Sequence, residues 1–117
     1  MEVYEIRVGA PSEVLRQFLQ GMADRMTVSF HKYGPIEQAY PQDVDAIASL
    51  EKRLERYRET GNIEWLMDIA NFAMIEFMLP RHPEAHYRPT DSKESPGRMR
   101  TDGRWAGQAH NLDVEVK

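Results

Sequence analysis

The chain contains no cysteine, which excludes disulfide cross-links and thiolate metal sites. It has no excess of basic residues: 15 Lys and Arg stand against 19 Asp and Glu, a formal charge of -4. An acidic balance of this kind argues against a nucleic-acid groove as the main surface. No long apolar run is unbroken, because the stretch that ends at Leu79 is interrupted by Glu64, Asp68, Asn71 and Glu76, and a membrane span is therefore not expected. Met1-Glu2-Val3-Tyr4 has no signal-peptide pattern. P-loop, glycine-rich dinucleotide turn and Ser-His-Asp order are all missing. What remains is the expectation of a cytoplasmic protein, with 117 residues at 41% hydrophobic content forming a single domain over 1–117.

The most informative stretch is 62–79. At about 100° per residue it reads as a helix that is apolar almost all the way round, with Trp65, Leu66, Ile69, Phe72, Met74 and Phe77 in most directions. Glu64, Asp68 and Asn71, at i, i+4 and i+7, fall within an arc of roughly 60° and form one polar seam. A helix that is apolar on all sides has to be covered on all sides. The seam then faces protein or a ligand, where an ionised carboxylate needs a partner, a proton or a cation. Because two neighbouring helices cannot cover so much apolar surface, a homo-oligomer is expected.

Around this helix the pattern predicts a mainly α fold of three principal helices with a small β element from the chain termini. Residues 3–8 alternate, with Tyr4, Ile6 and Val8 on one face, and Gly9-Ala10-Pro11 ends them: a short strand. From Ser12 the period becomes helical. Val14, Leu15, Phe18, Leu19, Met22, Met26 and Phe30 share an arc of roughly 160°, with a break expected near Gly21 and a stop at Lys32-Tyr33-Gly34-Pro35. A second helix opens at 41–45 and runs through Glu59. The tight connection Thr60-Gly61-Asn62 makes it an antiparallel hairpin with the third helix. Residues 80–111, carrying Pro80, Pro83, Pro89 and Pro96, read as loop. Residues 112–117 alternate again and are expected to supply a terminal strand, pairing with 3–8 within or between chains; a frayed tail is the alternative.

The second helix has charges intruding on its apolar arc of Val44, Ile47, Leu50, Leu54 and Tyr57, with Glu51 and Arg58 inside it and Glu55 at its margin. In the antiparallel hairpin Glu55 comes level with Glu64, and Glu51 with Asp68. Four carboxylates in two layers repel one another unless a cation lies among them, and Mg²⁺ prefers such oxygens. The other reading of the same residues is a solvated edge on which Glu51 and Glu55 pair with Arg58 and Arg53.

Two adjacent helices carrying Glu51-x-x-x-Glu55 and then acids about 13 positions on resemble the all-α MazG-like nucleotide pyrophosphohydrolases. Their motif is E-x-x-E followed by E-x-x-D around Mg²⁺. This chain has Asp68-Ile69-Ala70-Asn71 at the second element, which keeps an oxygen ligand but removes a charge. The resemblance implies a nucleotide-binding protein with weak or lost hydrolysis. Glu64 and Asp68 would be the catalytic pair; Glu51, Glu55, Glu64 and Asp68 would be the Mg²⁺ ligands. Asn71, Tyr57, Trp65, Arg58 and Arg98 would contact the ligand, the aromatics by stacking, and Asn71→Asp would strengthen Mg²⁺ binding. The stretch from Thr60 through Met78, with Thr90-Asp91-Ser92 and Ser95-Pro96-Gly97-Arg98, is also similar to small proteins of actinobacterial phages and prophages, a likeness that covers roughly residues 22–98. It implies action in the host cytoplasm, including sequestration of a nucleotide or nucleotide immune signal. An oligomeric interaction protein without a ligand is the third reading.

Further candidates lie outside the hairpin. His82 and His86 are four apart, as zinc ligands on a helix are, but Pro80 and Pro89 flank them and a polar turn fits as well. The hydroxyl-rich 91–98 segment, with Arg88, Arg100 and Arg104, could close over phosphates or be a solvated loop. Glu76 stands on the apolar side of the third helix, where it meets Arg25 or Lys32 or else snorkels at an edge.

Overall fold

A computed structural model describes residues 1–91 and 93–104 of the chain. It divides between Ala85 and His86 into two units, each described by itself. The first unit holds three helices, α1 (Arg16–Tyr33), α2 (Ala46–Thr60) and α3 (Glu64–Met78), with single 3-10 turns at Pro11–Glu13 and Ile36–Gln38. None of these helices is long and apolar enough to cross a membrane.

Local signals set the helix ends. Asp45 caps α2, its Oδ1 accepting the Ala48 N–H at 3.0 Å, as a short side-chain acceptor at this position does. Gly61, at φ 71°, closes it with its N–H on the Tyr57 carbonyl. Asn62 Oδ1 then takes the Glu64 N–H at 3.0 Å and starts α3. So short a connection leaves α2 and α3 no course but antiparallel, and they pack along their length. Arg81 ties the open end of the hairpin, donating from Nη1 to the Pro41 carbonyl at 2.6 Å with Nε 3.8 Å from Asp45 Oδ2. Its own N–H goes to Glu76 Oε2 at 2.8 Å, so Glu76 caps the chain after α3 rather than meeting Arg25 or Lys32.

Helix α3 is the element the other two share. Every residue from 65 to 72 is partly or fully buried, and the most buried side chains of the unit are Ala46, Ile75 and Asn71. Asn71 Nδ2 donates to the Met22 carbonyl of α1 at 3.1 Å, so the polar seam faces α1. Gly21 lets the two helices approach. A Cβ there would lie 2.6 Å from Met67 Sδ and 2.7 Å from its Cε, and α1 runs through this residue unbroken. Because the obstructing atoms are the free end of a flexible side chain, Gly21→Ala should stay within about 1 kcal/mol of the wild type. Better helix propensity offsets the displacement of Met67, and urea unfolding checks it.

The expected β element is not found among the described residues. Residues 3–8 are exposed and form no strand, and 112–117 lie outside the described residues. Alternation supplies a strand with a face but not with a partner, and unpaired backbone groups are satisfied by water as readily. The first helix also begins later than Ser12: Val14 is extended and no side chain caps Leu15.

Candidate functional site

Three helices converge on Asp68. Arg25 of α1 donates from Nη1 to its Oδ1 at 3.3 Å and from Nη2 to Glu64 Oε2. Arg53 of α2 approaches from the other side, with Nε 4.0 Å from Asp68 Oδ2. The two arginines and Asp68 are each about one-third exposed or less, so the cluster is held in a half-dry setting where charge pairing matters more than at the open surface. Arg53 is fixed further by its guanidinium 4.7 Å over the Phe72 ring and by an Nη1 bond to the Ser49 carbonyl at 3.3 Å. Its Nε is buried without a hydrogen-bond partner. Burial raises the Tyr40 hydroxyl above its ordinary range, and the Arg53 charge opposes that rise.

Beside this cluster a hollow of about 170 Å³ is lined by Lys52, Arg53, Arg56 and Trp65. Lys52 and Arg56 stand at i and i+4 on one flank of α2, with Arg53 one step round toward α3. The antiparallel register sets Arg53 level with Asp68 and Arg56 level with Trp65. Lys52 and Arg56 pair with Glu55 at 3.6 Å and Glu59 at 3.5 Å. Both are exposed i,i+3 pairs, worth about 0–1 kcal/mol, which an arriving anion displaces at little cost. The hollow itself is walled by apolar atoms, the stems of Lys52, Arg53 and Arg56 beside Trp65, and is suited to a flat ring, with the charged heads of Lys52 and Arg56 outside it on Glu55 and Glu59.

The residues expected from the sequence are redistributed. Glu64 and Asp68 come together, but through Arg25. Glu51 and Glu55 are exposed, and among the described residues no three His, Asp or Glu side chains converge as metal ligands do. The four-carboxylate cage is thus not assembled, because the buried flank of α2 runs through Ala46, Ser49, Leu50, Arg53, Leu54 and Tyr57 and turns Glu51 and Glu55 away. This donor set does not fit a resident Mg²⁺. Trp65 lines the hollow, Asn71 lies toward Met22, Tyr57 is half-buried and Arg58 exposed in the last turn of α2.

In the second unit Arg98 is exposed. Arg88 grips Glu94 through two bonds of 2.7 and 3.3 Å, and that contact, with the Asp91 N–H, holds the Glu94 carboxyl below its ordinary range. Arg100 and Arg104 share Asp102. His82 sits in a turn, its Nδ1 accepting the Glu84 N–H at 3.0 Å, rather than on a helix. Spacing passed over Lys52 and Arg56, and it gave Arg53 to Glu51 or Glu55 and Arg25 to Glu76 where the structure gives both to Asp68. The i,i+4 pair Lys52 and Arg56, opposite Trp65 across a short connection, was the signal available. Compared with known proteins, the chain matches no family model, no curated protein and no solved structure. Fold and site together define a small helical protein with a Trp65-lined apolar hollow on a helical hairpin, bordered by basic side chains of α2.

Proposed function

We propose that the protein binds a nucleotide or a nucleotide-derived small molecule in the hollow between α2 and α3, and that it acts by binding rather than by hydrolysis. The observation that carries this reading is the grouping of Trp65 with Lys52, Arg53 and Arg56. Trp65 stacks on the base, Lys52 and Arg56 turn from Glu55 and Glu59 to take phosphate oxygens, and Arg53, its guanidinium held inward over Phe72 and beside Asp68, contributes its apolar stem as a wall. Binding rather than catalysis is supported by Glu64 and Asp68, whose carboxylates are engaged by Arg25 instead of standing open to polarise water. Sequestration of a nucleotide signal, one of the readings the sequence left open, needs no more chemistry than this.

A panel of nucleoside mono-, di- and triphosphates and cyclic nucleotides, assayed with and without Mg²⁺ by thermal shift and for pyrophosphate release, tests the proposal. At least one member is expected to raise the melting temperature without release of pyrophosphate. Lys52→Ala and Arg56→Ala are each expected to weaken its binding roughly tenfold, about 1.4 kcal/mol for a lost charge-assisted contact, at unchanged stability. Trp65→Leu should weaken it by a similar or larger factor through lost stacking. Rapid turnover by the unmodified protein overturns the binding-only reading, and unchanged affinity in Lys52→Ala and Arg56→Ala removes the hollow as the site.

A further inference from the structure

Helix α1 uses only part of its apolar arc. Phe18, Met22 and Ser29 are half-buried, whereas Leu15 at the N-cap and Leu19, Phe30 and Tyr33 remain 62%, 37%, 53% and 74% exposed. With Met26 these four form a stripe within an arc of roughly 60°, at steps of four, seven, four and three residues, as in a helix seam. Arg16, Asp24, Arg25 and Lys32 all lie about 80° or more from the centre of the stripe, so no charge falls on it. At its C-terminal end the stripe opens into an apolar groove of about 420 Å³ lined by Met26, Thr27, Phe30, Gly34, Pro35 and Ile36.

We infer that this face is covered by α1 of a second copy, antiparallel, about a two-fold axis at the middle of the helix. The surface is self-complementary in the way an isologous contact requires. The midpoint of Arg16–Tyr33 falls between Asp24 and Arg25. An antiparallel partner centred there sets Leu19 opposite Phe30 and Leu15 opposite Gly34, so the two aliphatic knobs at one end meet the groove at the other, twice over. The four exposed stripe residues offer on the order of 500 Å² per copy and the groove walls add little, which is below the roughly 800 Å² per partner of a standard interface and matches a small, weak pair. Helix α3, where all-round apolarity first pointed to a partner, is partly or fully buried over residues 65–72 within its own chain and keeps only Phe77 and Met78 exposed at its end, at 75% and 48%; the longer apolar stripe is on α1.

Sedimentation of the full chain at tens of micromolar is expected to give twice 13.6 kDa, and Phe30→Glu, at a half-exposed position, a monomer with unchanged helical circular dichroism. The absence of native cysteine makes the register readable. Under oxidation Leu19→Cys/Phe30→Cys should form a covalent dimer, while Leu19→Cys alone should not, since the two copies of residue 19 lie eleven residues apart along the pair, about 16 Å, beyond disulfide reach. A monomer in the unmodified protein overturns the inference. So does a dimer that survives Phe30→Glu, which places the contact elsewhere, and cross-linking through Leu19→Cys alone overturns the antiparallel register.

Discussion

Asn71→Asp is expected to lose about 3–4 kcal/mol of folding stability at pH 7 and more than about 10 °C in melting temperature. Asn71 is 6% exposed, donates from Nδ2 to the Met22 carbonyl, and has its Oδ1 buried without a partner. An ionised carboxylate there replaces the donor with a charge that faces a carbonyl oxygen. Protonation limits the penalty: holding an acid of ordinary pKa ~3.9 neutral at pH 7 costs about 4 kcal/mol, and the neutral acid can then donate to Met22. The native state thus raises the pKa of the new acid. Its contribution is fully present below the unfolded value and is lost as pH rises through the folded one, so the gap to the wild type should close toward pH 4. Asn71→Leu, which removes both the donor and the orphaned oxygen, should cost only about 1 kcal/mol. Urea unfolding of both variants across pH 4–8 checks this; an Asn71→Asp protein as stable as the wild type at pH 7 would show that the α1 to α3 contact is not dry. The expectation from spacing, that an acid here gathers Mg²⁺, gives way to the burial of this position against α1.

Asp68→Ala should cost about 2 kcal/mol, read as a fall in the urea midpoint at constant slope. It removes the one carboxylate shared by Arg25 and Arg53, leaving two half-buried cations to rehydrate, although Arg25 keeps Glu64. Asp68→Asn, which still accepts from Arg25, should lose about half as much. Nucleotide affinity should change less than about threefold (~0.6 kcal/mol), because the cations of the hollow remain in place. A variant of unchanged stability that has lost both nucleotide binding and any Mg²⁺ dependence would instead make Asp68 a ligand residue, and the hydrolase reading would return.

The site was legible in part. The period of α3 singled out Glu64, Asp68 and Asn71 as one seam, and the structure turns that seam toward α1. What partners the seam was not legible, since Arg25 lies 39 and 43 residues away and no local pattern on α1 distinguishes it from Arg16 or Lys32. Arg53 was hidden differently. Hydropathy ranks it as a surface residue, yet its guanidinium over Phe72 and beside Asp68 makes it an inward one. The alternation of 3–8 was real as a pattern and empty as a predictor, because a strand exists only through its ladder.

From the sequence alone came three helices, Asp45 and Gly61 at the ends of α2, Gly34 after α1, Pro80 after α3, and the antiparallel hairpin that a three-residue connection enforces, but not the start of α1 at Arg16 or its unbroken course through Gly21. Only the tertiary structure decided how each helix is rotated about its axis. On α2 the buried flank is turned by roughly 70° from the apolar arc, which leaves Ile47 exposed at 42% and draws Arg53 inward. Rotation is a collective choice. It sums the dispersion, pairing and hydration of whole faces, so a few strong contacts, here Arg53 with Asp68 and Phe72, outweigh the burial of one isoleucine.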